Sequence, residues 1–198
     1  MLRERIECQD LSGSTPTWKE MPDMGARQSA VLAVLFEDAD KTRVLLIRRS
    51  VHMKRHGGEI AFPGGKREPG DRGPVETALR EAAEELGLDP CKVWPCRLLE
   101  KEYAYSSDFE IHPILATLDP GVNPSPCVDR NEVEQVLTPS LAEFANPPRL
   151  EWGNHGRIAV LFPIFEVKAG YRVWGATARI LWQLGRILKP AIGESSWD

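Results

Sequence analysis

The sequence predicts an α/β (α+β) fold in which helices cover both faces of a mixed central sheet. Two kinds of segment indicate it: continuous apolar runs of strand length, and amphipathic helical segments that alternate with groups of these runs. The chain has 198 residues, of which 42% are hydrophobic and 27% are charged, as in an ordinary globular protein. A single domain of this length can bury most of its apolar surface, so we expect one domain.

The first predicted elements are two strands that form a hairpin. Residues 29–36 (SAVLAVLF) are a continuous apolar run, and residues 43–49 (RVLLIRR) are a second one after the polar turn at 37–42. The residues before the hairpin are polar and contain glycine and proline. They predict an N-terminal arm at 1–27, with room for one short strand.

A helix is predicted to follow the hairpin, after a basic loop that contains several glycines. Pro74 suits the first turn of this helix, where its missing N–H costs nothing, and Gly87 stands where a helix commonly ends. Five apolar residues recur between them at spacings of three and four, which makes one apolar stripe. The stripe consists of Val75, Ala78, Leu79, Ala82 and Leu86.

The second half of the chain predicts further strands and a second helix. We expect strands at 93–105, 111–118, 132–137 and 158–167, a helical turn at 140–145 and an amphipathic helix at 175–188. We therefore divide the chain into the arm, one domain at 28–190 and a C-terminal tail at 191–198.

Charge and composition argue against several classes of protein. The net charge is −4, whereas a general nucleic-acid binder usually has a basic excess. No apolar run reaches the ~20 residues that span a bilayer, and the N-terminus has no apolar signal-peptide core. The four cysteines, Cys8, Cys91, Cys96 and Cys127, contain no C-x-x-C pair. We expect reduced thiols, a cytoplasmic protein, and neither nucleic-acid nor membrane partners.

Three glutamates on the predicted helix are unusually close together. The segment REAAEELGL at 80–88 places Glu81, Glu84 and Glu85 within five residues, and like charges at these spacings destabilise a helix. A solvated face is one interpretation, since glutamate-rich faces are common. A divalent metal site is the other, because magnesium prefers carboxylate oxygens, and a glycine turn before the helix lets the backbone approach a metal–phosphate complex.

A longer segment around these glutamates resembles a known family. Residues 64–88 (GGKREPGDRGPVETALREAAEELGL) are similar to the Nudix box, G-x5-E-x7-R-E-U-x-E-E-x-G-U, in which U is a bulky apolar residue. The positions that match are Arg80, Glu81, Glu84, Glu85, Gly87 and Leu88. Ala82 replaces a bulkier residue, Asp71 replaces glutamate, and one extra residue separates Asp71 from Arg80.

The insertion of this extra residue is similar to that in the Nudix subgroup that hydrolyses coenzyme A. That subgroup also carries an upstream pattern, L-L-T-x-R-[SA]-x3-R-x3-G-x3-F-P-G-G, with which residues 45–65 align in register. Arg49, Ser50, Gly58 and residues 62–65 match it. Ile47 replaces threonine, and Lys54 replaces arginine, which keeps the charge but loses the bidentate fork. Residues 171–181 (YRVWGATARIL) resemble the subgroup's entry into its C-terminal helix.

The resemblance implies a Nudix-type α/β/α sandwich with a mixed central sheet, and Mg2+- or Mn2+-dependent hydrolysis of a diphosphate that joins a nucleoside to another group. The subgroup implies coenzyme A or acyl-CoA as substrate, with 3′,5′-ADP and (acyl-)4′-phosphopantetheine as products. ADP-ribose, NADH or a nucleoside triphosphate are alternative substrates. A Nudix-fold binding protein without turnover is a further alternative, although such a protein is expected to have lost acids of the box.

The resemblance also implies roles for individual residues. Glu81 and Glu85 are the expected main metal ligands, and the Gly65 carbonyl is an additional one. Glu84 is expected to bind a further ion or to accept the proton of the nucleophilic water, and Arg80 to orient the glutamates through an ion pair. The candidates held in reserve for the general base are Glu59, Glu102 and Glu132.

Substrate binding is expected at the basic loop and the glycine turn. The predicted residues are Arg49, Lys54, Arg55, Gly58, Gly64 and Gly65. Arg49 and Lys54 are favoured for phosphate contacts, including the 3′-phosphate of coenzyme A, because both stand in the upstream pattern. Three aromatic residues could stack on adenine or belong to the core: Tyr103, Tyr105 and Phe109. We assign Trp174 and Trp182 to the core, and we expect a monomer or a homodimer.

Overall fold

The computed structural model describes residues 2–6, 11, 16–19, 25–39, 41–105, 107–156, 158–167 and 170–192. The helices in this part of the chain are α1 (Leu2–Arg5), α2 (Pro74–Leu86) and α3 (Gly175–Ile192), with short 3-10 helices at Pro90–Lys92 and Leu141–Phe144. The strands are β1 (Arg27–Asp38), β2 (Lys41–Val44), β3 (Leu46–Arg49), β4 (Ile60–Ala61), β5 (Gly64–Lys66), β6 (Val93–Leu98), β7 (Glu102–Ala104), β8 (Phe109–Leu118), β9 (Val133–Leu137), β10 (Arg149–His155), β11 (Ile158–Glu166) and β12 (Arg172–Trp174).

The central sheet is mixed, as predicted. Its six strands follow the order β2-β1-β8-β6, with β5 also paired to β1 and β7 also paired to β8. β1 and β8 are parallel, and the other pairs in the sheet are antiparallel. Two three-stranded sheets complete the described architecture, in the orders β4-β3-β9 and β10-β11-β12.

Helices α2 and α3 cover opposite faces of the central sheet. Successive side chains of a strand point to opposite faces, and β1 shows this directly. Leu32 and Val34 belong to the core cluster that includes α2, whereas Ala33 and Leu35 belong to the cluster that includes α3. Both sets are fully buried. The predicted α/β/α layering is therefore confirmed.

The sequence located both ends of α2. The helix begins at Pro74 and ends at Leu86, and Gly87 caps it with a φ of 67°. Only glycine adopts this left-handed conformation without strain, and the Gly87 N–H donates to the Ala83 carbonyl at 2.9 Å. The predicted apolar stripe faces the sheet, because four of its five members are buried there: Val75, Ala78, Ala82 and Leu86.

The predicted strand at 43–49 is wrong in one respect, because it is divided between two sheets. Leu45 interrupts it: β2 pairs with β1 in the central sheet, and β3 pairs with β4 and β9 in a separate one. The Leu45 N–H still donates to the Val34 carbonyl at 3.0 Å. A continuous apolar run shows that the segment is buried, but it carries no information about which strands it pairs with. The predicted strand at 93–105 is likewise divided, into β6 and β7.

Parts of the predicted arm pack against both cores. Leu2 and Ile6 join the α3-side cluster, and Trp18 joins the α2-side cluster, where its indole donates to the Thr77 hydroxyl at 3.3 Å. The described part of the arm contains the short helix α1 and no strand. Within the described residues, no helix is both long and apolar enough to cross a membrane.

The cysteines do not all match the prediction of reduced thiols. Cys91 and Cys127 are free and exposed. Cys96 is buried and disulfide-bonded, so the prediction is wrong at this position. Sequence spacing missed it because a disulfide depends on which segments meet in the fold.

Close packing of α3 gives a prediction for stability. A Cβ on Gly185 would lie 2.2 Å from the Phe144 carbonyl oxygen, so Gly185→Ala should separate α3 from the 3-10 helix at 141–144. We expect the free energy of unfolding to fall by about 1–3 kcal/mol in urea titrations. Gly70→Ala is the matched control, since nothing lies within 4 Å of a Cβ there. Equal stability of both variants would contradict the packing argument.

Candidate metal centre and adjoining cavity

Gly64 and Gly65, the predicted glycine turn, in fact form the start of strand β5, which pairs with β1 beside helix α2. We call these two residues the glycine turn below. Gly64 pairs with Val31 of β1, and a Cβ on Gly64 would lie 2.4 Å from the Ala30 carbonyl oxygen. Its φ of 149° is also one that other residues rarely adopt. Glycine is therefore required here, and the close approach presents the Gly64 N–H to the glutamates of α2.

Glu85 lies at the centre of this arrangement. Its carboxylate accepts a hydrogen bond from the Gly64 N–H at 2.9 Å, and its other oxygen lies 3.5 Å from the Arg49 guanidinium. The side chain is 2% exposed, so it does not belong to a solvated face. Burial raises the pKa of Glu85 to about 8, although the Gly64 N–H and Arg49 act in the opposite direction.

Glu81 occupies the space that a side chain at position 65 would fill. A Cβ on Gly65 would lie 2.5 Å from the Glu81 carboxylate. The Glu81 side chain is largely buried, and burial raises its pKa against the opposing effect of Arg80, whose guanidinium lies 3.1 Å away. The Gly65 backbone and the Glu81 carboxylate therefore face each other with no side chain between them.

Arg80 is held in place by Asp71, the residue that stands where the Nudix box has its first glutamate. Asp71 accepts hydrogen bonds from the Arg80 Nε and Nη2 atoms, both at 3.1 Å, and from the Thr77 hydroxyl at 2.8 Å. Burial opposes ionisation of Asp71, but the hydrogen bonds from Arg80, the Glu68 N–H and Thr77 hold its pKa below the usual value. The hydrogen bonds that Arg80 donates to Asp71 are likewise the main reason why the pKa of Arg80 is raised.

Glu84 has a different environment from the other two glutamates. Its side chain is 60% exposed, and one oxygen accepts a hydrogen bond from Arg80 Nη1 at 3.0 Å. Across the residues that the structure describes, no three His, Cys, Asp or Glu side chains converge as a ready-made metal site. The structure thus brings Glu81 and Glu85 together at the glycine turn and leaves Glu84 paired with Arg80.

The donor set at the turn nevertheless fits a hard divalent cation. Two largely buried carboxylates, Glu81 and Glu85, lie beside backbone without side chains, and Mg2+ uses one or two carboxylates together with substrate oxygens. The raised pKa values of both groups have burial as their main cause, and a bound cation would offset that cost.

A cavity of about 520 Å³ adjoins the glycine turn: Gly64 and Gly65 line it, whereas Glu81 and Glu85 lie on the far side of these glycines and are not among its lining residues. Its walls come from the ends of β1, β5, β7 and β8, the basic loop after β3, the β10–β12 sheet and the first turn of α3. The aromatic residues that line it are Tyr103, Tyr105, Phe109, Phe162 and Trp174. The cations that line it are Arg27, Arg49, Arg55, Lys66 and Arg179. An anionic ligand with a flat or apolar part matches such walls.

The predicted substrate residues are only partly gathered at this cavity. Arg49, Arg55, Gly64 and Gly65 line it. Lys54 is exposed and is not among the lining residues. Gly58 is not among the lining residues either. It lies in a turn with a φ of 77°, where its N–H donates to the Arg49 carbonyl at 2.9 Å.

The reserve candidates for the general base occupy three different environments. Glu59 lines the cavity, with His56 Nδ1 3.1 Å from both of its carboxylate oxygens. Glu102 is engaged by Arg179 at 2.5 Å and by Gln183 at 2.8 Å. Glu132 is exposed, but it is near enough to raise the pKa values of Glu81 and Glu85.

Some lining residues were missed, or misplaced, by sequence reasoning. Trp174 was assigned to the core, but it is 38% exposed and lines the cavity, with its ring 6.0 Å from that of Phe162. Trp182 is partly buried and packs against the core, as expected. Arg27 and Lys66 also line the cavity. Lys66 and Trp174 stand in segments that resemble the family, but those patterns assign them no role, and the pairing of distant strands brings all three residues to the cavity.

Comparison with known proteins agrees with this arrangement. A family model described as the NUDIX domain matches residues 26–160. The chain is 34% identical to a chloroplastic Nudix hydrolase of Arabidopsis thaliana, with 78% of this chain and 53% of that protein covered. It is also 34% identical to a mitochondrial coenzyme A diphosphatase of Mus musculus, with 76% and 72% covered. The chain thus spans about half the length of the plant relative.

Solved structures extend the comparison to the fold. A MutT/nudix family protein from Enterococcus faecalis superposes with a TM-score of 0.50 at 16% identity, over 80% of this chain and 60% of that one. The layered mixed sheet, the glutamates of α2 beside the glycine turn, and the match of the family model define one class of protein. This chain belongs to the Nudix family.

The Asp71–Arg80 contact gives a prediction with a defined pH dependence. Asp71→Asn should lower the free energy of unfolding by about 1–3 kcal/mol near pH 7, because it removes a buried charge-assisted hydrogen bond. Since the folded-state pKa of Asp71 is lowered, this stabilisation is present above the unfolded-state value of about 3.9 and is lost as pH falls through the folded-state value.

The measurement is urea unfolding of both proteins between pH 3 and pH 7. Asp38→Asn is the matched control, because Asp38 is exposed and its pair with Arg43 should contribute little. A difference between wild type and Asp71→Asn that did not change with pH would contradict the role given to the Asp71 charge.

Proposed function

We propose that this chain is a divalent-metal-dependent hydrolase that cleaves the diphosphate of coenzyme A or acyl-CoA. The products are 3′,5′-ADP and 4′-phosphopantetheine or its acyl form. One observation carries the proposal: two largely buried carboxylates, Glu81 and Glu85, meet a glycine turn at the end of a cavity lined by cations and aromatic rings.

The comparisons support the class of substrate. A relative with 34% identity is named a mitochondrial coenzyme A diphosphatase, and the upstream pattern at 45–65 resembles the same subgroup. Arg49 and Arg55 line the cavity from that segment, beside the glycine turn, where they can meet phosphate oxygens. We keep the sequence-based expectation of a cytoplasmic location as part of the proposal, although the disulfide at Cys96 contradicts the reduced thiols on which that expectation partly rested.

We propose that Glu81, Glu85 and the Gly65 carbonyl hold Mg2+ or Mn2+. When bound, such an ion polarises phosphoryl oxygens and lowers the pKa of water. Glu85 then contributes a carboxylate whose direction is set by the Gly64 N–H. Arg49, 3.5 Å from Glu85, is placed between the metal centre and the cavity and can orient a substrate phosphate.

Arg80 and Glu84 have supporting roles in this proposal. Arg80 orients Glu81, while Asp71 holds Arg80 in place. Glu84 is proposed as a further metal contact or as the acceptor of the proton from the nucleophilic water. The structure shows its Oε2 atom paired with Arg80, so its Oε1 atom is the one proposed for either role. Glu59, which lines the cavity, is the alternative acceptor.

Product analysis tests the proposed reaction. The protein is incubated with Mg2+ or Mn2+ and an equimolar mixture of coenzyme A, ADP-ribose, NADH and ATP, and products are identified by mass. We expect 3′,5′-ADP to appear first and a chelator to stop its release, because the glutamate centre depends on a metal. Prior consumption of another substrate would overturn the assignment of coenzyme A, and no consumption at all would favour a binding protein.

Removal of one buried carboxylate tests the metal centre. Glu85→Gln should lower turnover by at least about 100-fold, because several kcal/mol of charge stabilisation depend on the metal. Glutamine can still accept from the Gly64 N–H, so the melting temperature without metal should be retained, whereas the increase caused by Mn2+ should disappear.

Glu76→Gln is the matched control on the same helix, since Glu76 pairs with Arg72 outside the cavity lining. This variant should retain both turnover and the response to Mn2+. Turnover at the wild-type level in Glu85→Gln would mean that the metal centre has been misassigned.

A further inference from the structure

We propose that Arg27 and Lys66 form a second phosphate subsite in the cavity, apart from the diphosphate end at Gly64 and Gly65. The subsite takes the phosphate carried on the ribose of a nucleotide substrate. The inference rests on the proposed function, since it requires a nucleotide in the cavity. In this proposal Arg27 and Lys66 bind the ribose phosphate, a role for which the sequence pattern favours Lys54.

Strand pairing places the two cations on one face of the central sheet. Lys66 of β5 lies directly opposite Ser29 of β1, and Arg27 is two residues from Ser29, so all three side chains share a face. Arg27 and Lys66 are therefore diagonal neighbours, with Cα atoms about 7–8 Å apart. All three residues line the cavity.

Both cations have hydrogen-bonding capacity for a ligand. The Arg27 guanidinium lies 4.2 Å from the centroid of the Phe109 ring and donates to the Ser107 carbonyl, which fixes its position. These contacts use few of its five N–H donors. Among the described residues neither Arg27 nor Lys66 has an ion pair with a carboxylate, and the nearby Asp108 accepts from the Tyr103 hydroxyl.

The position of the pair relative to the glycine turn suits a ribose phosphate. Gly65 lies opposite Ala30, and Arg27 is three residues further along β1, which corresponds to about 10 Å. Arg27 thus lies apart from the diphosphate end, whereas Lys66 directly follows Gly65 and directs its side chain to the opposite face of the strand. Tyr105, which is 70% exposed, and Phe109 line the cavity beside Arg27 and offer ring faces on which a base can stack.

The contrast with Lys54 follows from the same geometry. Lys54 is exposed in the loop after β3 and is not part of the cavity lining. A phosphate bound to Arg27 and Lys66 stays in contact with the aromatic wall, whereas one bound to Lys54 lies outside the cavity. The structure therefore favours the pair on β1 and β5.

Steady-state kinetics with coenzyme A and dephospho-coenzyme A test the subsite. For each protein the readout is the ratio of kcat/KM for the two substrates, which differ only in the ribose phosphate. Arg27→Gln should lower this ratio about tenfold, because a charge-assisted hydrogen bond to the phosphate is lost, and Lys66→Gln should lower it in the same direction. Arg186→Gln is the matched control, since Arg186 also lies over an aromatic ring but outside the cavity lining.

A binding measurement separates failure of the inference from failure of the proposed function. Calorimetry compares adenosine 3′,5′-bisphosphate with AMP for wild type and Arg27→Gln. The subsite is wrong and the function stands if wild type hydrolyses coenzyme A while Arg27→Gln changes neither the kinetic ratio nor the ratio of the two dissociation constants. The same conclusion follows if Lys54→Gln alone lowers the kinetic ratio. If coenzyme A is not hydrolysed but Arg27→Gln removes a preference for the bisphosphate, the function is wrong and the subsite stands.

Discussion

The hydrogen bond from the Gly64 N–H to the Glu85 carboxylate joins the parts of this molecule that matter for its chemistry. It connects the glycine turn, which packs against β1, to the last turn of α2. A buried carboxylate without such a donor would be strongly unfavourable. With it, the turn and the helix are fixed relative to each other, so the Gly65 backbone faces Glu81 and the cavity opens beside Arg49.

The carboxylates around this contact differ in how closely arginines neighbour them. Arg80 neutralises Asp71 and contacts both Glu81 and Glu84, and Arg49 is the nearest cation to Glu85. Burial raises the pKa values of Glu81 and Glu85 in spite of these arginines. The protein alone therefore leaves the two carboxylates incompletely compensated, which is the condition under which a divalent cation can stabilise the folded chain when it binds.

Local sequence determined some features well and others not at all. The bounds of α2 follow from Pro74 and Gly87, because a fixed φ and a left-handed cap act within a few residues. The cavity walls depend instead on pairings between distant strands, such as β1 with β8. Arg27 belongs to no motif, and Trp174 has no assigned role in the segment 171–181 that resembles the subgroup, so their places at the cavity could not be predicted. The burial of Glu85 did not follow from the sequence either, since helical periodicity gives the direction of its side chain but omits the glycine turn that covers it.

The parallel pairing of β1 with β8 also has a consequence for how the protein folds. It joins residues 27 and 109, which encloses a loop of about 80 residues. The glycine turn, helix α2 and the basic loop all lie within that loop. Non-local pairings of this kind form slowly, because closure entropy is lost before the contacts are gained. Glu85 and its partners Gly64 and Arg49 all lie inside this loop, so the contacts of the candidate metal centre are more local than the strand pairing that encloses them.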